Sequence, residues 1–180
     1  MKNATADPSR PAEPRNLRSP AVWIATGLGL GLITKAPGTV GSLIEGIPVA
    51  WAVSYLPGPA WQMAAVALLF AVGVPIATAA GRALGGSSDN QAIIYDEIIT
   101  MPVVFLIVPL TDWRIALLGF ALHRLFDITK PPPAGQLECL PEGLGVMADD
   151  LMAAIYGALA LFGLTWFAGQ LGWSLLPPVG

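Results

Sequence analysis

The chain has 180 residues, of which 54% are hydrophobic and 12% charged, with a formal net charge of −3 at pH 7. An ordinary soluble domain carries about a quarter charged residues, so this length and a mean hydropathy of +0.65 predict one domain integral to a membrane. Nine Lys and Arg under a negative net charge exclude a nucleic-acid binder, and a single Cys and a single His exclude an internal disulfide, a cysteine zinc cluster and a histidine-rich metal site.

Residues 1–20 are polar, with Pro8, Pro11, Pro14 and Pro20 among Arg10, Arg15 and Arg18, and they read as a disordered tail. Residues 21–180 then form a single membrane-embedded domain. Ala21–Ile33, with Gly27, Gly29 and Gly31, reads as an interfacial or re-entrant segment. Tail and apolar stretch together loosely resemble a signal peptide, but no small-x-small cleavage site follows.

Lys35-Ala-Pro-Gly-Thr-Val-Gly-Ser42 comes next. Gly38 and Gly41 let backbone amides approach a ligand, Thr39 and Ser42 add hydroxyls, Lys35 adds charge, and a helix start follows. That is a good phosphate cradle, although not a P-loop, and a plain Pro-Gly turn before a helix is the competing reading. Leu43–Leu56 and Trp61–Ala80 flank Pro57-Gly58-Pro59, which predicts two antiparallel helices joined by a tight turn. Trp61–Ala80 is uncharged and long enough for a hydrocarbon core of about 30 Å.

Gly86 to Glu97 carries Asp89, Asp96 and Glu97. Asp89 and Asp96 share a helical face if the helix starts early enough. Asp96-Glu97 opens the apolar run Ile98–Leu110, and Asp149-Asp150 opens Leu151–Ala168, so four of the chain's 12 acids stand at two apolar boundaries. Crowded, poorly hydrated carboxylates need a compensating cation. Hard oxygen donors without His or Cys favour Mg²⁺, which makes Asp89, Asp96, Glu97, Asp149 and Asp150 the candidate metal ligands. Acids stabilised at helix N-termini by the dipole are the plainer alternative.

Ile98–Leu110 and Ile115–Phe126 flank Thr111-Asp112-Trp113-Arg114 and predict a hairpin of short or tilted helices. His123-Arg-Leu-Phe-Asp-Ile-Thr-Lys130 ends that hairpin. Arg124, Asp127 and Lys130 fall three apart and predict one helical stripe, stopped by the prolines after Lys130. Two cations beside an acid suit a phosphate held against a metal, while a salt-bridge ladder is the alternative. His123 reads as a structural or interfacial histidine, and Cys139 as a passive thiol. Gly143-Leu-Gly-Val-Met-Ala-Asp-Asp150 reads as a flexible glycine loop that delivers two acids to the head of the last span.

One threading brings both acid pairs to the same side. It places Lys2, Arg10, Arg15, Arg18, Lys35, Arg82, Arg124 and Lys130 there too, with Arg114 alone opposite. The positive-inside rule makes that side cytoplasmic. The expected architecture is therefore an all-α integral membrane bundle with short or tilted spanning helices and an acidic site at the cytoplasmic interface.

Ala-Pro-Gly-Thr-Val-Gly-Ser-Leu, Tyr-Asp-Glu, Arg-Leu-Phe-Asp-Ile-Thr-Lys-Pro and Gly-Leu-Gly-Val-Met-Ala-Asp-Asp, in this order between about Gly27 and Gly157, closely resemble the phosphatidylglycerophosphatase A family of bacterial membranes. The resemblance implies Mg²⁺-dependent removal of the terminal phosphate of phosphatidylglycerophosphate, giving phosphatidylglycerol and inorganic phosphate in phospholipid biosynthesis. It places the family's acids on Asp89, Asp96, Glu97, Asp127, Asp149 and Asp150, and its basic positions on Arg124 and Lys130. Tyr95 stands where the family often has Trp, Leu140-Pro-Glu142-Gly replaces a more glycine-rich approach to the last acids, and Thr100-Met101-Pro102 replaces a stretch that commonly contains Gly.

The chemistry expected is attack by a metal-bound water, positioned or deprotonated by Asp127 or Asp149, while Arg124 and Lys130 neutralise the phosphate. A covalent aspartyl-phosphate lacks the Asp-x-Asp-x-Thr/Val signature. A phospholipid in the bacterial inner membrane is the expected partner, and nothing calls for an obligate protein partner. A small cation transporter or a noncatalytic scaffold are the rival readings. A transporter should place charges near the middle of its spans, and here they stand at the ends.

Overall fold

The structure is a computed structural model that describes residues 16–85 and 90–172. The described residues hold helices and no strand. Helix α1 (Pro20–Ala25) ends at a turn where Gly27, Leu28 and Gly29 all take positive φ, after which α2 (Leu30–Ile33) forms one further turn. α3 (Pro37–Gly41), a π-helical turn at Ser42–Gly46 and α4 (Ile47–Ser54) follow one another without leaving helical backbone angles. α5 (Pro59–Ala83), α6 (Tyr95–Val104), α7 (Trp113–Thr129), α8 (Ala134–Leu137) and α9 (Gly143–Gln170) complete the bundle.

The local chemistry explains most boundaries. Gly58 at φ 86° turns the chain and Pro59 starts α5 at a position where its missing N–H costs nothing, as the Pro-Gly-Pro cluster predicts. Asp112 caps α7 by accepting from Arg114 N at 2.7 Å and Ile115 N at 3.1 Å. α7 stops at Thr129 because Lys130 precedes Pro131, cannot comfortably stay in the right-handed helical region, and adopts φ 43° instead.

α5 and α9 are long and apolar enough to cross a membrane. At 1.5 Å per residue they run about 38 and 42 Å against a hydrocarbon core of about 30 Å. α6 is different. Its ten residues rise only about 15 Å, and it is buried from Ile98 to Val104 between α4, α5 and α9. Pro102 removes a helical N–H, and the helix ends two residues later. The hairpin of short helices expected around Thr111-Asp112-Trp113-Arg114 is thus a ten-residue helix returning through a loop to a 17-residue one.

Three expectations need correction. α4 packs along α6 more than along α5, because Gly46 and Ala50 let it approach: a Cβ on Gly46 would lie 3.2 Å from Met101 Cβ. The segment from Gly143 to Asp150 is not a loop, since α9 begins at Gly143. Its glycines serve packing: a Cβ at Gly143 would stand 2.7 Å from Val74 O, and one at Gly145 would stand 2.6 Å from Leu140 O. The helix carrying Asp96 starts at Tyr95, with residues 90–94 outside it, so the early start that would align Asp89 with Asp96 does not occur. Asp89 itself lies outside the described residues.

Two apolar clusters fill the interior. One gathers Met101, Val104, Phe105, Ile115, Ala154 and Leu161. The other packs Val22 and Ala25 of α1 against Ala77 and Ala80 of α5. The end of α5, the start of α6, the end of α7 and the start of α9 meet beyond them at one end of the bundle.

Candidate active site

α6, α7 and α9 each bring acids to that end. α6 opens with Asp96 and Glu97, α7 closes with Asp127, and α9 carries Asp149 and Asp150 in its second turn. Oxygens of Asp96, Glu97 and Asp150 lie within 4.8 Å of one another. Asp96 and Asp150 are 6% and 3% exposed, so the two acid pairs, 53 positions apart in sequence, share one largely buried pocket. Asp127 reaches the Asp150 carboxyl, which extends the cluster toward α7.

A cavity of about 150 Å³ opens over it, lined by Asp96, Glu97, Asp127, Asp149, Asp150 and Lys130, with Asn90, Gln91 and Glu138 at its edge. Two cations serve these acids. Arg124 Nη1 stands 2.5 Å from Asp127 Oδ2 and 3.6 Å from Glu97 Oε1. Lys130 Nζ stands 2.7 Å from Asp149 Oδ2 and 3.3 Å from Glu138 Oε1. Asp149 also accepts through Oδ1 from the Asp150 N–H at 2.9 Å. Six carboxylates against two cations leave four formal negative charges in a largely buried site. Like charges at this spacing are not tolerated in a low-dielectric pocket without protons or metal ions.

Asp96 and Glu97 precede the apolar run of α6, and burial raises the proton affinity of both. For Asp96 the neighbouring Glu97 and Asp150 add to burial, while for Glu97 the Arg124 charge works against it. Burial disfavours the Lys130 ammonium, but the Asp149 hydrogen bond and charge outweigh it, so its pKa rises. The donor set fits a hard divalent cation. It is all oxygen, and Asp96 Oδ1 and Glu97 Oε2 are buried with no hydrogen-bond partner, so both could serve as ligands.

The predicted stripe is half formed. Arg124 pairs with Asp127, but Lys130 turns off the helix and serves Asp149 and Glu138 instead. The predicted phosphate cradle takes another form. Ser42 donates its hydroxyl to Gly38 O at 2.7 Å, a bond inside its own helix, and Gly41 packs on Ile94. Gly38 lies against the Glu97 carboxylate and the Arg124 guanidinium, where any Cβ would collide with Glu97. Thr39 is half-buried and Lys35 exposed at the head of α3, and neither lines the cavity. The segment therefore serves the acids by making room for them.

Glu142, the added acid of the last approach, pairs with Arg82 at 2.5 Å on the surface and does not line the cavity. Sequence reasoning missed Glu138 and the Asn90-Gln91 edge, which carry no spacing signal. It also missed Thr100, whose place four residues after Asp96 on the same helical face was a usable signal.

A model of the family described as phosphatidylglycerophosphatase A matches residues 23–165. The chain is 34% identical over 160 residues to a Haemophilus influenzae protein named phosphatidylglycerophosphatase A, covering 88% of this chain and 97% of that one. It is 30% identical over 157 residues to an Escherichia coli protein of the same name, covering 86% of each. It is also 35% identical over 156 residues to a Bacteroides thetaiotaomicron protein provisionally named a phosphatidylinositol-3-phosphatase, covering 82% of this chain and 95% of that one. No solved structure matches it.

Proposed function

The chain belongs to the phosphatidylglycerophosphatase A family, and from that premise we propose that it removes the terminal phosphate of phosphatidylglycerophosphate in a Mg²⁺-dependent reaction at the cytoplasmic face of a bacterial inner membrane. The observation that carries this reading is the meeting of Asp96, Glu97 and Asp150 in one buried pocket, with unpartnered carboxylate oxygens, Lys130 in its lining and Arg124 paired with the neighbouring Asp127. Asp96, Glu97 and Asp150 would hold the metal, with Asp149 and Asp127 beside them. Bound there, Mg²⁺ supplies positive charge to the phosphate oxygens and acidifies a water.

The protein's own groups supply the rest. Lys130 lines the cavity and is already held by Asp149, so it presents N–H donors to a phosphate without first having to be ordered, while Arg124, paired with Asp127 and near Glu97, offsets the charge of those acids. Asp149 has both oxygens engaged, by Lys130 and by the Asp150 amide. Asp127 is engaged by Arg124 through Oδ2 and also reaches the Asp150 carboxyl, so Asp127 and Asp149 both remain candidates to position or deprotonate the water. Lys35, exposed at the head of α3, is the member of the Lys35–Ser42 segment available to an anionic headgroup.

Membrane embedding is supported by α5 and α9 and by the exposed Trp61, Leu68, Leu159, Phe162 and Trp166 on them. The cytoplasmic assignment is supported by Arg82, Arg124 and Lys130 at the acidic end and Arg114 at the start of α7, the opposite end. Charges gathered at one end of the bundle favour a surface site over a cation path.

The test is phosphate release from phosphatidylglycerophosphate by purified protein in detergent, with Mg²⁺ and with chelator, and with phosphatidylinositol 3-phosphate in parallel. Release of phosphate from the first lipid only when Mg²⁺ is present is the expected result. Equal release in chelator overturns the metal reading, and preference for the inositol lipid overturns the substrate.

A further inference from the structure

Beneath the carboxylates lies a buried polar layer in which Asp150 meets two side chains that the reaction does not use directly. Thr100, His123 and Asp150 come from α6, α7 and α9, and Thr100 and His123 are 0% exposed. Thr100 Oγ1 stands 2.7 Å from the Asp96 carbonyl, 3.3 Å from Asp150 Oδ2 and 3.5 Å from His123 Nε2. The His123 ring also faces the Asp150 backbone, and its Nδ1 is buried without a partner. α7 and α9 approach closely here, since a Cβ at Gly157 would lie 3.4 Å from His123 N.

Buried hydroxyl and imidazole groups cost stability unless they make hydrogen bonds, so their presence in an apolar bundle calls for a role. The hydroxyl has one proton and two acceptors in reach, one on each of the helices that carry the acid pairs. In the tautomer with Nε2–H, His123 donates to the Thr100 oxygen, and the single hydroxyl proton is shared between Asp96 O at 2.7 Å and the longer contact to Asp150 Oδ2 at 3.3 Å.

We propose that Thr100, backed by His123, is a positioning residue that aims the Asp150 carboxylate at Asp96 and Glu97 and so sets the metal affinity of the cluster. This rests on the reading of the three carboxylates as a cation site. Such supporting hydrogen bonds behind a metal ligand are typically worth about 10- to 100-fold in affinity.

The experiment is titration of purified protein in detergent with Mn²⁺, a paramagnetic stand-in for Mg²⁺, read by electron paramagnetic resonance beside a thermal melt. Thr100→Val keeps the shape and removes the hydroxyl; Thr100→Ser keeps the hydroxyl; Asp150→Asn removes the ligand. We expect Thr100→Val to weaken Mn²⁺ binding about 10-fold or more at an unchanged melt in chelator, Thr100→Ser to stay near wild type, and Asp150→Asn to lose binding. Thr100→Ala replaces the valine variant if the latter does not fold. Wild-type affinity in the hydroxyl-less variant with binding lost in Asp150→Asn overturns this inference alone. Equal weakening in the serine variant also overturns it, because the hydroxyl would then not be the cause. Wild-type affinity in Asp150→Asn overturns the cation site itself.

Discussion

Gly38 of α3 lies directly against the Glu97 carboxylate of α6, with no room for a Cβ between them. A methyl group there must displace Glu97, Arg124 or the helix start. Gly38→Ala is expected to lower phosphate release about tenfold or more, or about 1.4 kcal/mol of barrier. Gly163→Ala is the control: a Cβ at Gly163 meets nothing, so helix propensity should make it neutral or stabilising by up to about 1 kcal/mol, with activity unchanged. Equal losses in the two variants would show that packing at Gly38 is irrelevant to the site.

Removing one buried charge should stabilise the metal-free protein while abolishing its chemistry. Asp96→Asn relieves repulsion with Glu97 and Asp150. In chelator it should melt about 2–4 °C above wild type for each kcal/mol relieved. In saturating Mg²⁺ the order should reverse, because only the wild type gains the ligand's contribution of about 2.7 kcal/mol at a hundred times Kd. A variant that melts below wild type in chelator would contradict the electrostatic account.

Lys130 is held protonated by Asp149 and Glu138 despite its partial burial. A raised lysine pKa means that the charge-dependent contribution is complete below the ordinary lysine range and fades only as pH rises through the higher value. No alkaline limb below pH 10 should come from this residue. Lys130→Arg should therefore leave the shape of the pH–rate profile unchanged. Lys130→Met should lower the rate about 100-fold across it, because Asp149 loses its partner and the phosphate loses a donor. An alkaline limb that vanishes in the arginine variant would disprove the assignment.

Sidedness can be read from the chain's single cysteine. Cys139 is exposed and follows Glu138, which lines the cavity edge. A membrane-impermeant maleimide should label it in inverted inner-membrane vesicles and leave it unlabelled in right-side-out ones. The opposite pattern would place the acids on the outer face.

The sequence by itself determined which segments are apolar enough to span, where they turn and which side chains carry charge. Those properties are local: hydrophobic run length, Pro57-Gly58-Pro59 and the proline stop after Lys130 act over a few residues. It also marked Asp96, Glu97, Asp149 and Asp150 as anomalous, since ionised groups at apolar boundaries demand an explanation whatever the fold, and it set Asp127 beside Arg124 and Lys130 by their spacing of three. Only the tertiary structure decided how they combine. That Asp150 joins Asp96 and Glu97 while Asp149 turns to Lys130 depends on the rotation of α9 against α6, which close packing sets and no spacing along one strand of sequence encodes. The same holds for Gly38, Gly143 and Gly145, which suggested loops and ligand-facing amides. Glycine equally permits flexibility and tight contact, and only the neighbouring helices determine which of the two is used.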